Sequence, residues 1–486
     1  MKNLIKNLIY QFVYQVFKIA LPLISVPIVS RSIGPDGLGI YNYYNSIVQY
    51  FVLVTSLGLP LYGTKLISQT RHDEILQTKN FWQLETISLF LMTVFGISSL
   101  VMGIMMRFPP VFFVQLLLVV SAGLDVSWFF RGIENFKISS LVNMLVGGLS
   151  VVFIVLFVRH HSDLFLYGLI TSFFSVAAQI PLWALLVKYL KKINVKYIFN
   201  IFDLKKHVLG MVTLFTPQIG IVVYTNLNKT MLGAISEAPN QLAFFANSIL
   251  VTSTLVTLIS TVDNVILPRA ALKVANGETA KISKILVHYL SVQASMTLPV
   301  SFGLAALAPV FVPLFFGHDF TGMIPTFEIA SFLVFAIPFG MSISIQYLVP
   351  MSKMKEYNVS VFTGAGLSIL LNAILIPKFL SVGAAIVSVS VELFIAGYRL
   401  YSFQKAEHVK ISYVSFAKYV VSGVIMYISV AVSQSFLPGS WPTLMLLILI
   451  GIVVYFAMLG VLRVLNQEPY KSMNFDRHFL LEFFKK

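Results

Sequence analysis

The sequence predicts an all-α integral membrane protein with about fourteen transmembrane helices. Of its 486 residues, 57% are hydrophobic and only 11% are charged, and the mean hydropathy is +0.86. A helix needs about 20 apolar residues to cross a hydrocarbon core of about 30 Å, and this chain holds many such runs. We expect spans at about 8–30, 38–62, 84–106, 109–130, 138–158, 164–187, 208–233, 241–267, 286–312, 324–350, 358–377, 382–403, 413–436 and 442–462.

The first two spans are expected to form a hairpin around Arg31–Gly39. The run Gly-Pro-Asp-Gly at Gly34–Gly37 is strong turn chemistry, so a loop is predicted between the two helices. The far end of the first span lacks a small-x-small cleavage site. We therefore expect this span to be retained as a helix and not removed as a signal peptide.

Both helices of the hairpin carry a stripe of polar residues at steps typical of one helical face. The stripes consist of Asn7, Gln11, Gln15, Lys18, Pro22 and Ser25 in the first helix and of Asn42, Asn45, Gln49 and Ser56 in the second. Unpaired polar groups and charges are costly in hydrocarbon, so such faces normally turn toward a bundle interior or a watery cavity. Hydrogen bonding between helices without any transport role is the alternative.

The Lys and Arg residues are distributed unevenly along the predicted topology. If the N-terminus is cytoplasmic, most of the 34 fall in cytoplasmic segments; the exceptions are Arg31, Arg107, Arg159 and Lys378 outside and Lys18, Lys229 and Lys418 within spans. This bias satisfies the positive-inside rule and predicts that both termini are cytoplasmic. The net charge of +15 then reflects topology and attraction to the lipid surface, so no nucleic-acid partner is expected.

Halfway along the chain the pattern of the opening hairpin returns. Tyr43–Ile47 and Phe244–Ile249 share aromatic residues followed by Asn-Ser-Ile near the start of a span. Six spans separate the copies, which predicts a parallel repeat like those of many secondary transporters, although short matches of this kind also arise by chance. We expect lobes at 1–190 and 191–410, with spans thirteen and fourteen and a cytoplasmic tail at 411–486.

The sequence contains no motif that indicates catalysis. It has no Cys, no GxxxxGK[ST] loop, no His-Glu-x-x-His site and no Gly-x-Ser-x-Gly elbow. The longest polar connection, Lys188–His207, is too short for an extramembrane catalytic domain. We therefore expect neither an enzyme nor a bound cofactor or metal, and energy must come from an H⁺ or Na⁺ gradient or from removal of the product.

Several blocks of sequence carry a family signature in a fixed order. They are Arg31–Tyr43, Leu57–Lys65, Asp125–Lys137, Lys229–Gly233, Leu267–Arg269, Gly340–Pro350 and Leu371–Glu392. Together these blocks, which lie within residues 1–400, resemble Wzx-type flippases, the polysaccharide transporters of the multidrug/oligosaccharidyl-lipid/polysaccharide exporter superfamily. One departure is Asn228, because the residue before Lys229 is often acidic in that family.

The resemblance implies a fold, a task and partners. The fold would have two six-helix lobes around a central cavity, followed by two C-terminal helices. The task would be to translocate an undecaprenyl-diphosphate-linked oligosaccharide across the bacterial cytoplasmic membrane by alternating access, for export of cell-surface polysaccharide. Besides this substrate and membrane lipids, glycosyltransferases and a polymerase of the same pathway are expected partners.

For such a substrate, cations and amides of the polar stripes are the candidate binding groups. Lys18 and Lys229 would engage the diphosphate or an acidic sugar as point charges, although Lys229 could instead snorkel to the interface. Arg31 lies at the predicted outer mouth, as a gate or as an ordinary loop residue. The groups expected to meet sugar hydroxyls are Gln15, Asn45, Gln49, Asn247 and Thr254.

A second set of charged residues is a candidate for gating or coupling. Glu392 could exchange a proton or form a structural pair with Arg399, which lies on the same helical face. Two further acids lie near arginines at the predicted cytoplasmic ends of spans, where charge clamps or plain interfacial pairing would place them. These pairs are Asp125 with Arg131 and Asp263 with Arg269.

Three other functions remain open from the sequence. A cation-coupled drug exporter of the same superfamily would favour an acidic cavity, whereas the leading helices here carry lysines. A membrane-embedded polysaccharide polymerase or ligase would need a larger outer loop. A purely structural role conflicts with polar stripes in both halves.

Overall fold

The structure is a computed structural model that describes residues 2–192, 199–275, 279–409 and 412–464. Within these ranges, some side chains lie outside the description: 2–12, 214, 216–218, 223, 262, 264, 265, 267–281 and 284. All regular elements in the described part of the chain are helices, which confirms the predicted all-α class. The chain divides into two compact units, Met1–Ala243 and Phe244–Lys486, and the predicted lobe boundaries stay a prediction.

The first unit contains ten helices within the described residues and the beginning of an eleventh. They are α1 (Lys2–Ser56), α2 (Leu59–Thr70), α3 (Glu74–Met105), α4 (Pro110–Gln115), α5 (Leu117–Gly123), α6 (Ser127–Gly132), α7 (Phe136–Phe157), α8 (Leu164–Ala177), α9 (Gln179–Leu186), α10 (Ile201–Ile235) and the start of α11 (Pro239–Ala275). Short 3₁₀ turns at His161–Asp163 and Val187–Tyr189 precede α8 and follow α9.

The predicted loop between the first two spans is a sharp break at a single residue. Gly34 has φ 77° and ψ 173°, a conformation that glycine adopts without steric cost. Pro35 then starts the next helical arm, where its missing N–H costs nothing. The ring Nδ1 of His161 lies 2.9 Å from the carbonyl oxygen of Ile33 and satisfies the backbone acceptor beside the break.

The second span, predicted at 38–62, ends earlier than expected. The helix stops at Ser56, and Leu57 and Gly58 both have positive φ, at 35° and 70°. Pro60 follows at the start of α2. This tight turn directs α2 against α6, where Gly63 lies directly against the Trp128 ring.

The second unit contains most of α11 and six further helices in its described part. They are α12 (Thr279–Phe316), α13 (Ile324–Ala330), α14 (Leu333–Ile343), α15 (Met354–Glu407), α16 (Tyr413–Gln434) and α17 (Trp441–Val461), with a 3₁₀ segment at His318–Met323 and a π-helical turn at Ser344–Leu348. Helix α15 breaks at Leu380, which has φ 49° and ψ −123°. Gly383 lies against the carbonyl oxygen of Leu375, so the chain folds back on itself at this break.

Eleven helices of the described residues are long and apolar enough to cross a membrane. This number confirms a multi-pass membrane protein. Helices α1 and α15 count once each, although each is interrupted by a non-helical residue. They contain 55 and 54 residues. At a rise of about 1.5 Å per residue, each is much longer than the hydrocarbon core of about 30 Å. The number of about fourteen spans stays a prediction.

Each unit has its own apolar core. In the first unit, Phe81 of α3 stacks on Trp128 with ring centroids 5.6 Å apart and packs edge-on against Trp183. In the second unit, α16 and α17 pack on α12, where the Tyr455 hydroxyl donates to the Ser295 carbonyl at 2.8 Å. The last two helices are therefore part of the core of the second unit.

Candidate functional site

A half-open cavity of about 300 Å³ with a mixed polar and apolar lining lies in the first unit. It is bounded by α1, by the α5–α6 turn and by the junction of α8 and α9. Its polar lining consists of Gln49, Ser56, Ser121, Asp125, Ser175 and Gln179. Gln49 and Ser56 belong to the second polar stripe, so part of that stripe faces a cavity within the first unit, whereas the predicted central cavity between two lobes stays a prediction.

The wall formed by α5, α8 and α9 is hydrogen-bonded through side chains. The Ser121 hydroxyl donates to the Ser175 carbonyl at 2.8 Å, and the Trp183 indole N–H donates to the Leu124 carbonyl at 2.9 Å. The Gln179 amide N–H approaches the Ser121 hydroxyl and the Ser175 carbonyl at 3.5 and 3.4 Å. Its Oε1 is buried and has no hydrogen-bond partner among the described residues.

Asp125 lies at the floor of the cavity, in the turn between α5 and α6. Its Oδ1 accepts a hydrogen bond from the Ser127 backbone N–H at 2.8 Å, and Arg131 donates to the Ser127 hydroxyl at 3.3 Å. Tyr14 of α1 lies within electrostatic range of both Asp125 and Arg131. The structure thus groups the predicted Asp125–Arg131 pair around one serine, half-buried beside the cavity.

Glu85 of α3 adds a second carboxyl group to this region. Its side chain is 0% exposed, and neither carboxylate oxygen has a hydrogen-bond partner among the described residues. Asp125 is within electrostatic range. The sequence analysis missed Glu85, although it is the acid at the start of the predicted span at 84–106, and intramembrane acids are rare and mostly functional.

In the first arm of α1, which precedes the break at Gly34, Lys18 lies on the side opposite the exposed apolar residues. Lys18 is exposed, while the exposed apolar residues Val16 and Leu23 lie on the opposite side of the helix by their spacing. Phe17 packs near Gly148 of α7. Gln15 is half-buried on the Lys18 side. The roles of both in binding substrate stay predictions.

The second arm of α1 is hydrogen-bonded to α10 through several polar groups. The Asn226 amide donates to the Ser46 carbonyl at 2.6 Å, and the Thr230 hydroxyl donates to the Ser46 hydroxyl at 3.1 Å. Between them in sequence, Lys229 is half-buried, and Asn45 is likewise half-buried on α1. Arg31 is exposed just before the break in α1.

A second polar network joins α2, α3 and α10. Tyr62 donates to His207 Nδ1 at 3.0 Å, and His207 Nε2 donates to Gln83 Oε1 at 3.1 Å. Gln83 donates to Asp203 at 3.3 Å, and Lys79 pairs with the same carboxylate at 2.8 Å. The hydrogen bonds from Lys79 and Gln83 lower the pKa of Asp203, and burial lowers the pKa of His207.

In the second unit, Asp263 of α11 is fully buried inside a hydrogen-bond network. The Ser342 hydroxyl lies 2.9 and 3.0 Å from its two oxygens, the Gln346 amide donates at 2.7 Å, and the Tyr289 hydroxyl donates as well. Gln346 belongs to the π-helical turn, an element frequent at functional sites. The side chain of Arg269, its predicted partner, lies outside the described residues.

The other predicted residues of the second unit differ in their contacts. Arg399 is 5% exposed; it donates to the Ser360 hydroxyl at 2.9 Å and the Gly340 carbonyl at 3.2 Å. Glu392 is half-buried on the same helix arm, and both of its predicted roles stay open. The Thr254 hydroxyl donates to the Leu250 carbonyl of its own helix at 2.7 Å. Asn247 is 5% exposed, and its amide nitrogen has no hydrogen-bond partner among the described residues.

The chemistry of the cavity is that of polar side chains. Within the described residues, no group of three or more His, Asp or Glu side chains could hold a metal ion. The cavity offers amide, hydroxyl and carboxylate groups, which suit hydroxyl-rich ligands or exchangeable protons. Of the predicted site residues, Gln49 and Asp125 line this cavity, and Arg131 lies beside Asp125 through Ser127.

The fold is that of known multi-pass membrane transporters. The chain is similar to the solved structure of the Lipid II flippase MurJ in an inward closed conformation, with a TM-score of 0.76 and 14% identity over 95% of this chain and 100% of that one. It is also similar to an inward-facing multidrug resistance MATE family transporter of the MOP superfamily, with a TM-score of 0.62 and 13% identity over 80% of this chain and 94% of that one.

The sequence belongs to the family described as "Polysaccharide biosynthesis protein", whose profile matches residues 4–272, more than half of the chain. A relative from Escherichia coli (strain K12), named "Putative O-antigen transporter", is 22% identical over 413 residues, which cover 82% of this chain and 96% of the relative. The resemblance to Wzx-type polysaccharide transporters that the signature blocks indicated is thereby confirmed.

Proposed function

We propose that this protein is a flippase that translocates lipid-linked oligosaccharide across the bacterial cytoplasmic membrane. The observation that carries the proposal is a cavity of about 300 Å³ in a membrane-embedded unit, whose lining includes amides, hydroxyls and a carboxylate. Burying such groups in a membrane lowers stability unless they form hydrogen bonds to a ligand or to neighbouring residues. Membership of a polysaccharide biosynthesis family makes a glycan the ligand that fits this chemistry.

The substrate in this proposal is an oligosaccharide on undecaprenyl diphosphate. Lys18, exposed on the side of α1 opposite its apolar face, supplies a mobile point charge for the diphosphate. Gln49 and Gln179 supply hydrogen bonds for sugar hydroxyls. Movement from the inner to the outer leaflet follows alternating access, as in other transporters whose helices move around a buried site.

The remaining features of the proposal follow from this task. The protein carries out transport and no covalent chemistry, with both termini in the cytoplasm. An H⁺ or Na⁺ gradient supplies the energy. Glycosyltransferases and a polymerase that make and consume the same repeat unit are its pathway partners.

The second candidate is a cation-coupled exporter of another substrate. Asp125 at the cavity floor and the buried Glu85 favour it, because carboxylates attract cationic substrates. Arg131 beside Asp125 offsets one of these charges, so the cavity is less acidic than the carboxylates alone suggest. A glycan therefore fits the cavity better than a cationic drug.

The test is leaflet transfer in proteoliposomes that contain a fluorescent diphospholipid-linked sugar. We expect the wild type to transfer the lipid and Lys18→Ala to transfer it about tenfold more slowly, since one charge-assisted contact contributes about 1.5 kcal/mol or more. Lys205→Ala, which removes an exposed lysine from the start of α10, is the matched control and should transfer normally.

Two outcomes contradict the proposal. No transfer by the wild type, in vesicles where a known flippase is active, excludes the flippase function. Export of a cationic dye in place of the lipid supports the second candidate. Equal transfer by wild type and Lys18→Ala would remove only Lys18 from the mechanism.

A further inference from the structure

The start of α10 is joined to α2 and α3 by five polar side chains, which we call the α10 latch: Tyr62, Lys79, Gln83, Asp203 and His207. The Asp203 carboxylate pairs with Lys79 at 2.8 Å and accepts a hydrogen bond from the Gln83 amide at 3.3 Å. The two ring nitrogens of His207 bond Gln83 at 3.1 Å and Tyr62 at 3.0 Å. A neutral ring with its proton on Nε2 satisfies both partners, so the five groups form one continuous chain of bonds.

Next to the latch, α10 packs on the turn between α1 and α2. Gly58 of this turn lies directly against the Met211 carbonyl oxygen and against Phe215. The two residues that follow Gly58 are Leu59 and Pro60, and both line the cavity of the first unit. The start of α10 therefore supports one wall of this cavity.

The polar contacts determine how firmly this end of α10 is held. Met211 is 0% exposed, but apolar contacts give little net attraction between helices in a bilayer, because lipid tails are just as apolar. Hydrogen bonds between helices contribute more to their association in that environment. The latch is thus the part of the contact whose loss frees the start of α10 from α2 and α3.

The opposite end of α10 is joined to α1 by contacts of another kind. The Asn226 amide donates to the Ser46 carbonyl at 2.6 Å, and both residues are buried. Gly233 lies directly against the Tyr43 ring. These groups carry no charge and have little access to water, so water cannot readily replace their contacts.

The latch, in contrast, lies where water can replace its bonds. The side chains of Lys79 and Asp203 are 28% and 34% exposed, and an ion pair at such exposure contributes little net stability because both groups are hydrated when they separate. Asp203 and Asn226 are about 35 Å apart along the helix, at about 1.5 Å per residue. The start of α10 can therefore separate from its neighbours while its other end stays in contact with α1.

We propose that the α10 latch is a releasable contact that controls access to the cavity of the first unit. When it separates, the start of α10 moves away from α2, and the cavity opens on the side of Leu59 and Pro60. Lys79 and Asp203 are both hydrated in this open state. The role of the opening in lipid transport rests on the proposed function, whereas the latch itself does not.

The first experiment therefore uses no substrate. Because the chain contains no Cys, a single Met211→Cys substitution reports on the contact between α10 and the turn before α2. The measurement is the rate at which a water-soluble maleimide labels this variant of the full-length protein in detergent. We expect Asp203→Asn to raise that rate at least about tenfold, the effect of losing one charge-assisted contact. Glu74→Gln, which removes the Lys191–Glu74 ion pair of 3.1 Å at the same end of α3, is the matched control and should leave the rate unchanged.

A second reporter separates release of the latch from general loosening of the fold. Ser172 of α8 is also 0% exposed, and the labelling rate of Ser172→Cys should not change in Asp203→Asn. The charge swap Lys79→Glu with Asp203→Lys should restore slow labelling of Met211→Cys. Equal labelling with and without Asp203→Asn, or a rise at both reporters, overturns the latch. If Asp203→Asn does not fold, Lys79→Met tests the same ion pair.

The second experiment locks the latch during lipid transfer in proteoliposomes. Lys79→Cys and Asp203→Cys, bridged by a short bis-methanethiosulfonate reagent, should stop transfer, and a reductant should restore it. The same bridge between Glu74→Cys and Lys191→Cys is the matched control and should leave transfer intact. Undiminished transfer by the bridged latch variant would show that the latch stays closed during transport and would overturn its role there. If the wild type transfers no lipid, the proposed function fails, and the labelling rates alone decide whether the latch exists.

Discussion

Glu85 in the first unit and Asp263 in the second are both fully buried carboxyl groups, yet their surroundings differ. Asp263 receives hydrogen bonds from Ser342, Gln346 and Tyr289. Glu85 has no hydrogen-bond partner among the described residues. The two carboxyl groups are therefore equally buried, but within the described part of the chain only that of Asp263 is hydrogen-bonded.

This difference shows why burial alone does not identify a functional acid. Donors that converge on a carboxylate stabilise its charged form and fix the helices that carry them. A buried carboxyl group without donors lacks this stabilisation. We therefore interpret Asp263 as a structural centre of the second unit, whereas no such network surrounds Glu85 among the described residues.

The largest expected effect breaks the network in the second unit. Asp263→Leu removes the acceptor of the Gln346 amide and one acceptor of the Ser342 hydroxyl from a buried site, which should lower the free energy of unfolding by about 3 kcal/mol. Thermal melting in detergent measures this loss. Glu85→Leu is the counterpart in the first unit. Its free energy of unfolding should lie within about 1 kcal/mol of the wild-type value or above it, because an apolar side chain replaces an unsatisfied polar one.

Equal destabilisation by the two leucine variants would break the comparison. It would mean that the Glu85 carboxyl makes a stabilising interaction as strong as the network around Asp263. A stable Asp263→Leu variant would likewise remove the structural interpretation of Asp263.

A smaller effect is expected from one donor of that network. Ser342→Ala removes the hydroxyl beside both oxygens of Asp263 and should cost about 1–2 kcal/mol. Ser301→Ala is the matched control, because Ser301 is also fully buried but its hydroxyl has no hydrogen-bond partner among the described residues. Melting curves of the two variants should differ clearly, and identical curves would show that the hydrogen bonds of Ser342 contribute little.

The smallest effect concerns the network that flanks Glu85 on α3. Burial lowers the pKa of His207, so its neutral form supports folding above the unfolded value of about 6.5, and this stability is lost as pH falls through the folded value. The melting temperature should therefore fall by a few degrees as pH drops from about 7.5 to about 5. His207→Gln should reduce this dependence, while the exposed His72→Gln should keep it.

A pH dependence that survives unchanged in His207→Gln would contradict its assignment to this network.

Much of the architecture follows from the sequence because it depends on local composition. Long apolar runs predicted the helices, and the polar spacing of the second arm of α1 placed Gln49 and Ser56 on a face that does line a cavity. The predicted loop at Arg31–Gly39 was wrong in extent, because a single glycine at positive φ followed by proline is enough to break a helix.

By itself, the sequence determined the membrane class, the approximate helix positions and the resemblance that the family match confirms. Only the tertiary structure decided which acids acquire partners. Asp263 and Ser342 are 79 residues apart in sequence, and Gln346 is 83 residues from Asp263. Asp125, which lies within electrostatic range of Glu85, follows two further helices along the chain. Such pairings depend on how distant helices pack, and no local pattern of residue types encodes that packing.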